Sequence, residues 1–121
     1  MNKTNKQINF TVERSKWYRG KGSSSRLLTK TGQMCCLGFL AKELGYQDQE
    51  ILKIGTPAGL YDDGKKFPRS FFPKKPDIAK LSDSCWFLVE VNDNPSLTDD
   101  KREYLLAKEF EKNNIKVEFI D

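Results

Sequence analysis

The sequence predicts a small α+β domain: a mostly antiparallel sheet, two main helices, and an irregular middle rich in proline and aromatic residues. Three observations carry this. Polar and apolar residues alternate near both ends, at residues 7–12 and 115–120, and a period of two marks a half-buried strand. Apolar residues recur at helical spacing twice, after Gln33 and after Ser96. Between them, Pro57, Pro68, Pro73 and Pro76 deny the chain regular structure. With 121 residues the chain fits a single domain, residues 1–121, because dividing it would leave pieces too small to bury a useful core.

The elements follow in order. Gln7-Ile8-Asn9-Phe10-Thr11-Val12 is the first strand. Trp17 and Tyr18 lead into a basic, glycine- and serine-rich loop, Arg19-Gly20-Lys21-Gly22-Ser23-Ser24-Ser25-Arg26. Arg26-Leu27-Leu28-Thr29 reads as a short strand closed by a turn at Lys30-Thr31-Gly32. Leu37, Leu40, Ala41 and Leu44 then lie on one helical face, with Gly45 placed to stop it.

A short helix is expected over Asp48 to Lys53, burying Ile51, Leu52 and the following Ile54. Tyr61, Phe67, Phe71 and Phe72 imply that the irregular middle packs down, and another short helix is expected to begin at Asp77. Trp86-Phe87-Leu88-Val89-Glu90-Val91 reads as a buried strand on its aromatic and β-branched content, with a short apolar helix as the alternative. Asn92-Asp93-Asn94-Pro95 breaks it. Ser96-Leu97-Thr98-Asp99 has the form of a capping box and opens a helix to about Lys112, with Tyr104, Leu105, Leu106, Ala107 and Phe110 inward. Ile115 to Ile120 is the last strand, and the two terminal strands are natural sheet neighbours.

Composition narrows the function. The chain is 37% hydrophobic and 31% charged, ordinary for a globular domain. Apolar runs such as Trp86-Phe87-Leu88-Val89 are too short to span a bilayer, and no apolar segment follows Met1-Asn2-Lys3-Thr4-Asn5-Lys6, so neither a membrane role nor a secretory signal is expected. Three cysteines, an odd number, predict a reducing compartment and a cytoplasmic location. The net charge of +4 is uneven: residues 1–30 hold eight basic side chains against Glu13 alone, so the remainder is slightly acidic. Such a region steers phosphates or an acidic partner toward itself; otherwise it is a solvated face.

There is no histidine. That excludes Ser-His-Asp and Cys-His nucleophile pairs, imidazole metal ligands and the histidine-bearing zinc deaminase signature. Any catalysis would need a carboxylate or lysine base with a shifted pKa. The expectation is a protein more suited to binding than to catalysis, with no cofactor and no metal.

The glycine-serine loop is the leading site candidate. Glycines let backbone N–H groups converge on an anion, and arginine grips phosphate through two parallel hydrogen bonds. The expected ligand-binding residues are Arg19, Lys21, Ser23, Ser24 and Arg26, with Trp17 or Tyr18 as a stacking face and Asn92-Asp93 completing the pocket. Trp17 also suits the core. The nucleotide P-loop order is missing, and Ser25 stands where the dinucleotide pattern needs its last glycine. With no RNA- or DNA-binding motif present, nucleic acid is a less favoured partner.

Cys35 and Cys36 read as small buried side chains, with Gly38 admitting another element close by. The alternative is a reactive thiolate at a helix N-terminus. Asn92-Asp93-Asn94 lacks the glycine and terminal glutamate of a calcium loop, leaving a capping or ligand-orienting role.

Taken together, Trp17, Arg19-Gly20, Leu27-Leu28, Gly32, Cys35-Cys36-Leu37-Gly38 and Asn92-Asp93 before a late helix resemble a family of small bacteriophage and bacterial proteins. That family has no settled activity, so the resemblance implies provenance, and with it the cytoplasm of a host cell. It implies a non-enzymatic accessory protein, counter-defence included, that holds a small anionic, nucleotide-like ligand or an acidic host partner. Two alternatives are an enzyme with a nucleophile at Cys35 or Cys36, and a protein-binding inhibitor. The inhibitor would use an exposed apolar patch around Phe67, Phe71 and Phe72.

Overall fold

A computed structural model describes residues 7–22, 25–58, 60, 66–73 and 81–121. Among them lie a two-stranded sheet and four α-helices, a mixed α+β architecture. The first strand, β1 (Ile8–Glu13), pairs with the last, β2 (Ile115–Ile120). They run parallel, which corrects the expected antiparallel sheet. A tight hairpin can join antiparallel strands, whereas parallel neighbours need a crossover, and here all the helices lie between β1 and β2.

The register sets Ile8 against Ile115, Phe10 against Val117 and Val12 against Phe119, so the apolar sets of both strands share one face. Phe10 meets the ring of Phe110 edge to face at 5.1 Å. That contact seats the helix α4 (Asp99–Lys112) on the sheet. Thr98 caps α4 by accepting from the Lys101 N–H, with Asp99 and Asp100 in the first turn, where the helix dipole favours negative charge.

The helix α1 (Cys36–Glu43) packs against β1 and buries Cys36 through Ala41, and Gly45 lies two residues past its end. The short α2 (Asp48–Ile51) follows, burying Ile51 and leaving Leu52 exposed. The segment 26–29 is not a strand of its own: Leu28 forms only a lone parallel bridge with Leu52. Gly38 permits the closest approach in this region. A Cβ there would stand 1.9 Å from the Leu27 carbonyl oxygen, so no larger residue fits without moving backbone.

Residues 86–91, expected as a strand, belong to the helix α3 (Asp83–Asp93). Ser82 caps it by accepting from the Cys85 N–H. Cys85, Leu88, Val91 and Asn92 face the core at helical spacing, while Trp86 and Phe87 point outward. The aromatic residues that suggested a strand are therefore on the helix's outer side.

Phe67, Phe71 and Phe72 are buried, so the described part of the middle packs down and offers no exposed aromatic patch. The Ser82 N–H donates to the Phe71 carbonyl, tying this segment to the start of α3. Tyr61 and the expected helix at Asp77 lie outside the described residues. No helix among the described residues is long and apolar enough to cross a membrane.

Candidate functional site

Asn92 is the centre around which the site is built. It is 1% exposed, and an amide so deeply buried is costly unless its hydrogen-bonding capacity is met. Here it is met in full. Asn92 Oδ1 accepts from the Trp17 indole N–H at 2.8 Å and from the Cys36 backbone N–H at 3.0 Å. Its Nδ2 donates to the Tyr18 carbonyl at 3.1 Å and to Asp93 Oδ1 at 3.0 Å. Cys36 opens α1, so Asn92 satisfies an N–H that the helix cannot pair internally. Capping is thus the role Asn92 plays, performed across the fold from the last turn of α3.

The start of the loop is anchored to the same turn. Gly20 N–H donates to the Asn92 carbonyl at 2.8 Å, so this amide of the expected anion nest is already engaged. Trp17 is 3% exposed and rests against Phe119, which places it in the core and not at a ligand. Arg19 covers the Trp17 ring at 4.4 Å and forms a two-pronged pair with Asp99. That bonding holds the Asp99 carboxyl below its ordinary pKa. Arg19 is accordingly a structural clamp between the loop and the start of α4.

Sequence reasoning overlooked Arg102. It is 3% exposed and gathers carbonyls at the end of α3: its Nη1 donates to Val91, Asn92 and Asn94, and its Nη2 to Leu97. A cation there offsets the negative end of the helix dipole. Its Nε lies 3.5 Å from Asp99 Oδ1, within reach of charge attraction but without a hydrogen bond. The signal was present in the spacing, because Arg102 shares the buried stripe of α4 with Leu106 and Phe110.

A cleft of about 630 Å³ opens on the outer side of α3. Gly22, Ser25 and Arg26 form one wall, Gly55 and Thr56 a second, and Trp86, Val89, Glu90 and Asp93 the helical wall. Trp86, on the helical wall, is 46% exposed. Ser25 donates to Asp93 Oδ1 at 2.5 Å, closing the loop onto the helix. Cys35 N–H donates to the Arg26 carbonyl, which fixes the base of the same wall.

Of the expected ligand-binding residues, Arg26 and Asp93 line this cleft. Lys21 and Tyr18 are not among its lining residues, Asn92 lies behind it, and Ser23 and Ser24 fall outside the described residues. The cleft is of mixed charge, because Glu90 and Asp93 stand with Arg26.

The thiols are elsewhere. Cys35, Cys36 and Cys85 are free and buried together. Burial pushes the Cys35 thiol up to about 12 and raises Cys36 and Cys85 as well, opposite to the shift that activates a nucleophile. Among the described residues no three Cys, Asp or Glu side chains are grouped as a metal site requires.

No protein-family model matches the chain, and no curated protein or solved structure does so either.

Proposed function

We propose that this domain is a non-enzymatic binding protein whose ligand is small and nucleotide-like, held in the cleft between the loop ending at Arg26 and the outer face of α3. The observation that supports this most is the exposed Trp86 indole in a cleft that also holds Arg26. A flat ring stacks on the indole, and the guanidinium takes the anionic end. The volume is of the size that holds a small organic ligand. The resemblance to small bacteriophage proteins supports an accessory or counter-defence role in a host cytoplasm. The burial and raised pKa of the thiols support binding over cysteine catalysis.

The test follows the two indole N–H resonances by NMR while AMP, GMP, CMP and UMP are added in turn. At least one nucleotide should shift Trp86 and leave the core Trp17 in place, and R26A should weaken its binding about tenfold, the worth of a charge-assisted hydrogen bond. If all four leave Trp86 unmoved, the cleft is not a nucleotide site.

A further inference from the structure

We propose that the cleft selects a guanine-type base, one whose pairing edge presents two adjacent N–H donors; this rests on the nucleotide-like reading above. The selecting group is Glu90. Trp86 and Glu90 are four residues apart on α3 and therefore neighbours on its surface, with Asp93 one turn further along the same stripe. A base stacked on the Trp86 indole turns its edge toward Glu90.

The two carboxylates differ in what they have left to give. Asp93 Oδ1 is taken up by Ser25 and Asn92, whereas the Glu90 carboxylate accepts no hydrogen bond from a described residue. A carboxylate is acceptor-only, and its two oxygens suit a pair of parallel donors. Guanine offers that pair, its ring N1–H and its amine. Adenine offers an amine beside a ring nitrogen lone pair, which would face a carboxylate oxygen with no hydrogen between them.

Arg26 is the only cation lining the cleft among the described residues, and it comes from the loop and not from α3. The arrangement therefore separates its tasks: base edge to Glu90, ring to Trp86, phosphate to Arg26.

Calorimetric titration of the full chain with GMP, IMP, AMP and inorganic phosphate tests this, with E90Q in parallel. GMP should bind about tenfold or more tightly than AMP, the worth of one good two-pronged contact. IMP, which keeps the ring N–H and lacks the amine, should fall between them. Glu90 is exposed, so E90Q should melt with the parent protein while losing the preference. Equal affinity for GMP and AMP would overturn the guanine assignment and leave nucleotide binding standing. A preference that survives in E90Q would remove Glu90 from the role. Absence of binding by every nucleotide would overturn both readings.

Discussion

Asn92 and Asp93 are consecutive residues on one turn of α3, yet they serve opposite environments. Asn92 looks inward, where it joins Trp17, Tyr18 and the start of α1, each of its hydrogen-bonding positions filled. Asp93 looks toward the cleft, tied on one oxygen to Ser25, beside an exposed indole and an unengaged Glu90. The contrast shows how a small domain separates rigidity from binding. A saturated buried network fixes the helix, and the same turn then presents a half-satisfied surface at a defined position.

The comparison breaks most severely at Asn92. N92A strands the Trp17 and Cys36 N–H groups in the core and should cost about 3 kcal/mol or more in chemical denaturation. A loss below about 1 kcal/mol would mean that water replaces the amide. Next is G38A, whose added methyl collides with the Leu27 carbonyl; about 3 kcal/mol is expected, since backbone must shift to admit it.

On the cleft side the effects shrink. S25A removes one hydrogen bond to Asp93 and should cost about 1 kcal/mol, read from the same denaturation curves. W86A, at an exposed position, should change stability by no more than about 0.5 kcal/mol and abolish ligand binding in the titrations above. If W86A destabilised the fold as much as N92A, the division between the two sides of α3 would be wrong.

The Asp99 pair sharpens the comparison through pH. Its carboxyl pKa is lower in the folded protein than in the unfolded chain, so the stabilisation is present above the ordinary carboxylate pKa. It is lost as pH falls through the depressed folded value. D99N should therefore flatten the acid limb of a melting-temperature profile and leave the profile above neutrality parallel to that of the parent. Because Asp99 is about half exposed, solvent screening makes this the smallest of the stability effects.

Much of the fold was legible in the sequence. Period-two alternation located both strands, and apolar spacing with Gly45 located α1, because those patterns report local geometry directly. Strand direction was not legible: alternation tells which face is buried and is silent on which way the partner runs. Trp86 and Phe87 misled the reading of α3, since a short apolar run fits either a strand or a helix. The deciding signal was Ser82 three residues before Cys85, a helix cap outside the run itself.

The candidate site was half legible. Arg26 and Asp93, singled out from the loop and the Asn-Asp step, line the cleft. Arg19 was read as a phosphate ligand because nothing local reveals that Asp99, far along the chain, would claim it. Trp86 was assigned to the core for the same reason that α3 was read as a strand.

The pairing of β1 with β2 also has a consequence in time. Ile8 and Ile115 come from opposite ends of the described chain, and joining them closes a long loop before any contact repays its entropy. As the chain leaves the ribosome, Phe10 and Val12 have no opposing strand until residues 115–120 have been made. Folding of the sheet is therefore a late event, and a slow one by the measure of non-local contacts. Until then the first strand lacks the neighbour that completes its ladder.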